Sequence, residues 1–354
     1  MQKVISTEKK IINAFDKLGK TIENFLYCGE NTQKELFPEL FFAREKAEIL
    51  NPWFERQFVD FSLQNIRNWL NSEKLFDWLS QNKVHFTDVQ KNVGIIMAGN
   101  IPLVGFHDLL SVLLSGHKAI IKLSSKDMFL LPVLISCLKD IYPDIDRQII
   151  YSSDIGTFVD AIIATGSNNT INQLKYKYQN QKTILRGTRN SIAVLSGNET
   201  DKQMNALADD IFLYFGLGCR SVSKIFLPDK KDILEGLKKA VQKFNWICQH
   251  KEWSDNLRFQ KAKLLTHNYT FINCNSIILI ENSKLDSPIA TLYFETYNSL
   301  DEIKCYLQEN EQHIQCVIGD ASLNSNWINF GNSQIPDLND FADGINILQF
   351  LSEL

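Results

Sequence analysis

The sequence predicts an α/β protein, built from two doubly wound α/β domains and a helical N-terminal region. Residues 1 to about 90 carry apolar side chains at helical spacing. Between about 90 and 197, short apolar runs alternate with helical segments, which is typical of a parallel sheet. A second alternating series of strands and helices follows.

The length and composition are those of a globular protein with two domains. The chain has 354 residues, against roughly 100–200 residues in a typical domain. Hydrophobic residues make up 44% and charged residues 22%, which permits a core of ordinary depth. The formal net charge of -4 argues against a broad surface for nucleic acid.

Neither a secreted nor a membrane-spanning protein is indicated. The N-terminal residues are charged throughout and lack the apolar core of a signal peptide. The most apolar run, MFLLPVLISCL, is far shorter than the ~20 residues of a spanning helix. The seven cysteines form no CxxC pair, so neither a zinc site nor a disulfide framework is predicted. We therefore expect a cytoplasmic protein.

The first predicted domain, residues 1–197, joins the helical region to a Rossmann-like cofactor-binding domain. Aromatic side chains are frequent in the helical region. They form either a cap packed on the following sheet, which is the commoner role of such stripes, or part of an acyl-binding wall. The run NVGIIMAG predicts a buried strand, followed by a loop, a helix that Gly116 ends, and a second strand at KAIIKLS. Further strands are predicted at RQIIYSS, DAIIATGS and SIAVLSG.

The second predicted domain, residues 198–354, carries a cysteine that we interpret as a nucleophile. Helices are predicted over about 201–215 and 231–244, with strands at VSKIFLP, SIILIEN, ATLYFET and IQCVIGD. No proline- or glycine-rich linker marks the boundary, which rests on the pattern alone. A return of the C-terminal tail onto the first domain is left open.

The stretch YFGLGCRSVSKIFLP presents one cysteine, Cys219, between a helical segment and a strand. A thiol needs positive or dipolar surroundings to ionise near neutral pH, and Arg220 is adjacent. Gly216 and Gly218 allow backbone N–H groups to approach an oxyanion beside the sulfur. The alternative is a buried structural cysteine, the commoner role of a single thiol.

Polar side chains follow the first two strands of the predicted sheet. Asn100, in MAGNIP, lies where the first strand ends, at the edge where doubly wound folds bind ligands. Its amide could donate to an oxyanion, or it could satisfy its own turn. Lys122, Ser124 and Ser125 follow the second strand, where a cation and hydroxyl groups suit a ribose or phosphate. A solvated strand end is the plainer interpretation.

A third motif, ATGSNNT, places Gly166 and Ser167 between a strand and a helix. A helix N-terminus that contains a glycine suits a pyrophosphate. The segment is not GxGxxG, so the usual dinucleotide fingerprint is missing.

Taken in order, these motifs resemble the aldehyde dehydrogenase superfamily. GNIP stands where that superfamily has Trp-Asn-Xaa-Pro, IKLSS where it has Lys-Pro-Ser-Glu, and ATGS where it has Phe-Thr-Gly-Ser. GLGCRS stands at its nucleophile, and FETYNS at its Glu-Ile-Phe-Gly-Pro. The longer stretches around GNIP and GLGCRS are more similar to the acyl-CoA reductase (LuxC-like) branch. The resemblance implies an aldehyde dehydrogenase-like fold.

The resemblance also implies an activity, the reduction of a fatty acyl-CoA to an aldehyde through a thioester on Cys219. The side chain of Asn100 and the backbone N–H of Cys219 would form the oxyanion hole. NADPH would be the cofactor, with NADH as the alternative. The resemblance leaves two kinds of partner open. One is an acyl-protein synthetase or other acyl-transfer enzyme, and the other is a second copy of the chain.

Several residues would bind that cofactor. Lys122 would hold the adenosine ribose, beside Ser124 and Ser125. Gly166 and Ser167 would lie along the pyrophosphate, and the nicotinamide ribose would contact Glu295.

Two departures from the superfamily pattern shape the expected chemistry. Leu185 stands where thioester-hydrolysing members have a glutamate. Ser125 replaces the glutamate that often selects NAD, which favours NADPH. Three other functions stay open: an aldehyde-oxidising dehydrogenase, an acyl-transfer component of a multienzyme complex, and a catalytically silent scaffold.

Overall fold

The computed structural model describes residues 2–87, 89–229 and 231–354, with the side chains of residues 2–6, 231 and 232 left out. The chain forms two compact units. Unit 1 comprises Met1–Gly187 and Asp337–Leu354, and unit 2 comprises Thr188–Pro336.

The N-terminal part of unit 1 is helical, as predicted. Its helices are α1 (Gln2–Tyr27), α2 (Glu30–Leu36), α3 (Pro38–Leu50), α4 (Arg56–Trp69) and α5 (Ser72–Gln81). Phe15, Phe25 and Trp78 are buried in the same hydrophobic core as Val93 and Ile95 of the sheet. This packing supports the interpretation of the helices as a cap, because the aromatic side chains stabilise the core of the sheet domain.

The sheet of unit 1 is parallel and doubly wound, as predicted. Its strands are β1 (Asn92–Ile96), β2 (Lys118–Lys122), β3 (Ile149–Tyr151), β4 (Ala161–Thr165) and β5 (Lys182–Arg186). Its helices are α6 (Phe106–Leu114), α7 (Leu130–Ile141) and α8 (Asn168–Lys177). The strand order is β3-β2-β1-β4-β5, so the winding direction reverses between β1 and β4. Doubly wound sheets bind ligands at the carboxyl ends of such strands.

The predicted stop of α6 is confirmed in detail. Gly116 has a φ of +87°, a conformation that favours glycine. A Cβ added there would lie 2.8 Å from the carbonyl oxygen of Thr87. Both the backbone conformation and the close approach therefore require glycine at this position.

Unit 2 contains a mixed sheet of six strands. They are β6 (Asn190–Val194), β7 (Val222–Pro228), β8 (Ile272–Asn273), β9 (Ile278–Glu281), β10 (Thr291–Tyr297) and β11 (Ile314–Ile318). The order is β11-β6-β7-β10-β9-β8, and β8 alone among these runs antiparallel to its neighbour. The helices are α9 (Asp201–Phe212), α10 (Lys231–Ala240), α11 (Lys251–Thr266) and α12 (Leu300–Glu309).

The units divide between residues 187 and 188, whereas the sequence pattern places the boundary after residue 197. The difference arises because β6, from the run SIAVLSG, pairs with β7 and β11 rather than with the first sheet. The C-terminal residues belong to unit 1 and end in helix α13 (Ile347–Ser352). Its Leu351 is buried, and the carbonyl oxygen of Leu351 lies 3.0 Å from Nε2 of His117.

Within the described residues, no helix combines the length and the apolar character that crossing a bilayer requires.

Candidate active site

The predicted nucleophile lies on a turn with unusual backbone geometry. Cys219 is exposed and sits between the 3₁₀ turn that follows α9 and the first residue of β7. Tyr214, Phe215 and Gly216 are consecutive residues with φ values of 55°, 55° and 68°. A left-handed backbone conformation costs a residue that has a Cβ atom a free energy of roughly 1–2 kcal/mol. Backbone strain of this kind clusters at functional sites. The sequence pattern had indicated an unusual backbone at Gly216 but not at Tyr214 and Phe215.

Buried aromatic packing holds this strained turn. The ring of Phe215 lies 4.3 Å from that of His250, and Phe215 is 1% exposed. The ring of Phe212, at the end of α9, stacks on Phe244 at 4.6 Å and lies 5.7 Å from Trp253. The burial of the Phe215 ring against His250 offsets part of the backbone strain, while the Phe212 contacts fix the end of α9 from which the turn departs.

Hydrogen bonds fix the residues around the thiol. Ser191, on β6, donates its hydroxyl to the carbonyl oxygen of Cys219 at 2.9 Å. The Arg220 side chain donates through Nε to the carbonyl oxygen of Ser333 at 2.5 Å. The exposed Cys219 is thus anchored through its own carbonyl group and through the side chain of the residue that follows it.

The predicted oxyanion donor, Asn100, is exposed in the loop between β1 and α6. Farther along this loop, Leu103 has a φ of 58° and donates its N–H to Oδ2 of Asp127 at 2.8 Å. Asp127 is 7% exposed, and burial raises its pKa to about 6. This carboxyl, which the sequence did not single out, ties the loop of Asn100 to the segment before α7.

We expect Asp127→Asn to raise the free energy of unfolding by about 1–3 kcal/mol at pH 8. The amide oxygen of the variant can still accept the backbone N–H of Leu103, and the substitution removes the buried negative charge. Because burial raises the pKa of Asp127 from 3.8 to about 6, the stability that its protonation provides is lost as the pH rises through that range. The difference between variant and native protein should therefore grow from pH 4 to pH 7, as followed by urea unfolding.

Asp127→Ala is the control, because it removes the charge together with the acceptor for Leu103. It should be less stable than Asp127→Asn at every pH. An Asp127→Asn protein that is less stable than the native one at pH 8 would contradict this assignment.

The residues predicted to meet the adenosine ribose differ in their surroundings. Lys122 is half-buried at the end of β2, and Ser125 is exposed. The Ser124 hydroxyl accepts from the backbone N–H of Lys126 at 3.2 Å. A Cβ added to Gly99 would lie 2.4 Å from that same oxygen. Ser124 therefore packs against the loop of Asn100, while Ser125 faces solvent.

Gly166 and Ser167 connect β4 to α8. The N–H of Gly166 donates to the carbonyl oxygen of Arg186 at 3.1 Å. Ser167 caps α8, and its hydroxyl accepts from the N–H of Thr170 at 3.3 Å. The register pairs Ile96 of β1 with Lys122 on one side and with Ala164 on the other. Unit 1 therefore brings the loops of Asn100, Lys122 and Gly166 to one edge of its sheet.

Glu295 lies in unit 2, on β10, and has a buried cationic partner. Lys224, on β7, is 0% exposed and donates through Nζ to Oε2 of Glu295 at 2.5 Å. The same ammonium donates to the carbonyl oxygen of Ser283 at 2.8 Å and lies 4.7 Å from the ring centroid of Phe226. The sequence signal for this pair was a lysine inside the apolar run VSKIFLP.

Comparison with known proteins supports both the fold and the family. A family model described as Acyl-CoA reductase (LuxC) matches residues 9–250. Long-chain acyl-protein thioester reductase 2 of Photobacterium leiognathi is 26% identical over 249 residues, which cover 64% of this chain and 52% of that protein. For the long-chain acyl-protein thioester reductase of Aliivibrio fischeri, the identity is 25% over 255 residues, with coverage of 62% and 53%. The chain spans about half the length of the curated relatives it matches.

Solved structures of aldehyde dehydrogenases share the fold. Aldehyde dehydrogenase 21 from Physcomitrella patens, solved with the product succinate, aligns with a TM-score of 0.67 at 10% identity. The alignment covers 98% of this chain and 84% of that one. The aldehyde dehydrogenase of Mycobacterium tuberculosis, solved with NAD+, gives a TM-score of 0.60 at 12% identity over 92% of this chain and 79% of that one. The predicted fold class is confirmed.

Proposed function

We propose that this chain, which belongs to the acyl-CoA reductase (LuxC) family, reduces a fatty acyl thioester to an aldehyde. The observation that carries the proposal is the exposed thiol of Cys219 on a strained and anchored turn. A thiol in this setting is suited to accept an acyl group, because its backbone is fixed before the substrate arrives.

In the first half of the proposed reaction, the Cys219 thiolate attacks the carbonyl carbon of acyl-CoA. The carbonyl electrons move to oxygen, and we propose that the backbone N–H of Cys219 donates to the resulting oxyanion. The carbonyl then re-forms and the C–S bond to CoA breaks. CoA leaves as a thiolate, and the acyl group remains as a thioester on Cys219.

The carboxyl edge of the unit 1 sheet fits a nicotinamide dinucleotide. A half-buried lysine, an exposed serine and the N-terminus of α8 follow strands β2 and β4, on either side of β1. We propose that Lys122 and Ser125 bind the adenosine ribose and that Gly166 and Ser167 contact the pyrophosphate. Ser124 would keep the adjoining loop in shape. The cofactor supplies a hydride when bound.

Glu295 is proposed to bind the nicotinamide ribose. Its contact with Lys224 fixes one carboxylate oxygen on β10. A carboxylate held in this way is a preorganised acceptor for ribose hydroxyl groups.

We expect NADPH to be preferred over NADH and Ser125→Glu to raise the KM for NADPH by about tenfold. A glutamate would repel the 2′-phosphate, whereas the serine leaves Lys122 and Lys126 as nearby positive charges. Ser125→Gln is the matched control, since it has the size of the variant without its charge. Equal KM values for NADPH in the two variants, or a native preference for NADH, would contradict this prediction.

The experiment that tests the proposed function supplies acyl-CoAs of short to long chain length together with NADPH or NADH. Because the relatives are named as acyl-protein thioester reductases, the panel includes an acyl thioester carried by a protein. Aldehyde formation with matching cofactor oxidation is the expected result. Absence of aldehyde with every donor would overturn the proposal.

The same panel separates the alternatives. An aldehyde-oxidising dehydrogenase would consume aldehyde and NAD+ or NADP+ without CoA. An acyl-transfer component would acquire an acyl group on Cys219 and leave the reduced cofactor unused. A scaffold would acquire no acyl group, and its Cys219 would resist mild alkylation.

A further inference from the structure

A buried carboxylate lies at the end of α9, just before the turn that carries the nucleophile. Asp210 is 0% exposed. Its Oδ2 accepts the N–H of Gly331 at 2.6 Å, and its Oδ1 accepts the N–H of Ser333 at 3.0 Å. Both oxygens are therefore committed to a single segment, residues 331–334, which we call the clasp segment.

The clasp segment approaches α9 closely. Gly331 has a φ of +85°, and a Cβ added there would lie 3.0 Å from Cβ of Ala206 on α9. Burial raises the pKa of Asp210, and hydrogen bonds from Ser333 and Gly331 oppose that shift. The negative charge of the adjacent Asp209 adds to the shift. An ionised Asp210 is compatible with complete burial only while these hydrogen bonds are kept.

The other side of the clasp segment contacts residues 213–221, which carry Cys219 and which we call the nucleophile turn. The carbonyl oxygen of Ser333, which is itself 0% exposed, accepts from Nε of Arg220 at 2.5 Å. The side-chain amide of Gln334 donates to the hydroxyl of Ser221 at 3.2 Å. The two residues that directly follow Cys219 are thus bonded to the segment that Asp210 holds.

Opposite charges therefore act on the two sides of one residue. Asp210 accepts from the N–H of Ser333, while Arg220 donates to its C=O. The two hydrogen bonds lie on the peptide groups on either side of the Ser333 Cα, and a charged partner strengthens each of them. Losing Asp210 should therefore weaken the bond from Arg220 to Ser333, and losing Arg220 should weaken the bond from Ser333 to Asp210.

We propose that Asp210 is a positioning residue for the nucleophile, acting through Ser333 and Arg220 to hold Cys219 in its reactive geometry. The proposal rests on the proposed role of Cys219 as the acyl acceptor. Asp210 has no assigned contact with substrate, and its effect would pass through the clasp segment. Asp210→Asn should loosen the clasp segment, so that Ser333 no longer fixes Arg220, the cation that follows Cys219. A less well fixed cation should stabilise the Cys219 thiolate less at neutral pH.

The test compares Asp210→Asn with Asp209→Asn in the full chain without cofactor. Asp209 is the matched control, because it is adjacent on α9 and instead pairs with Lys243 at 2.8 Å. The rate of Cys219 alkylation by iodoacetamide is followed from pH 6 to pH 10 by mass spectrometry. Cys305, which is also exposed, serves as the reference thiol in the same sample.

In Asp210→Asn, we expect alkylation of Cys219 at pH 7 and its acylation by acyl-CoA to slow about tenfold. The alkylation profile should move to higher pH, while Cys305 and the Asp209→Asn protein stay unchanged. Arg220→Met should act in the same way, and the double variant should add little, because both changes break one connection. Circular dichroism and urea unfolding verify that each variant is folded.

A folded Asp210→Asn protein with the alkylation profile and acylation rate of Asp209→Asn would overturn the proposal. If Asp210→Asn does not fold, Arg220→Met serves as the test instead. A native pH profile of Cys219 alkylation in that variant would also overturn the proposal. Failure of the proposed function looks different. In that case, the native protein would not be acylated at all, while the alkylation comparison would still report on the clasp segment.

Discussion

Replacing Cys219 by alanine is expected to abolish acyl-enzyme formation and to lower aldehyde production from acyl-CoA by roughly 10³-fold or more. Removing the proposed nucleophile leaves the other proposed site residues in place, but the acyl group has no acceptor. Incubation with a mass-tagged acyl-CoA, followed by digestion, should label the peptide that contains Cys219 in the native protein. The variant should carry no label.

Cys305→Ala is the matched control for this prediction. Cys305 is the other exposed cysteine, and it lies on α12 rather than on the nucleophile turn. Its replacement should leave both acylation and reduction unchanged. Full reductase activity in Cys219→Ala, or loss of labelling only in Cys305→Ala, would show that the thiol has been wrongly assigned.

The acyl-enzyme is expected to persist when no reduced cofactor is present. Hydrolysis needs a base to accept a proton from the attacking water, and such a base typically speeds the reaction by about 10²–10⁴-fold. The resemblance to the superfamily places Leu185 where its base would stand, and a leucine side chain cannot accept a proton. In the reverse direction, oxidation of an aldehyde should accordingly need CoA as the acyl acceptor.

The two carboxylates that could replace that base are both engaged in unit 2. Glu199 accepts from the N–H and the hydroxyl of Ser196 and from the N–H of Gly197. Glu295 is bonded to the buried ammonium of Lys224. These contacts restrain the movement of each carboxylate toward a substrate.

Chemical quench and mass spectrometry would measure how long the thioester survives. Leu185→Glu should speed the release of free fatty acid, whereas Leu185→Gln, which has similar size and no charge, should not. Steady release of fatty acid by the native protein without NADPH would contradict the prediction. Glu199→Gln and Glu295→Gln would then identify the base.

The elements of the fold that the sequence predicted best have strong local patterns. The run VSKIFLP became β7 with the predicted bounds, and α6 ends at Leu114, two residues before the predicted Gly116. The predicted boundary missed the pairing of β6, because a fully buried parallel strand is apolar throughout and does not reveal its neighbours. Strand β5 and helix α11 were not predicted, since both carry many polar residues.

The residues of the candidate site likewise divide into those with a local sequence pattern and those without one. Motifs at strand ends could be found because the sequence places them beside the strands that position them. The bond between Asp210 and Ser333 joins residues far apart in the chain, as does the pair of Lys224 with Glu295. A weak signal existed for each: Asp210 precedes the buried Ile211 on the apolar side of α9, and Lys224 interrupts an apolar strand.

A single-turnover experiment on the isolated acyl-enzyme tests the central claim most directly. The native protein is acylated with acyl-CoA, freed of excess substrate, and mixed with NADPH deuterated at the transferable position. The predicted result is loss of the acyl mass from the Cys219 peptide together with an equal amount of aldehyde that carries one deuterium at C1. An acyl group that stays on Cys219, or that leaves as unlabelled fatty acid, would contradict the claim.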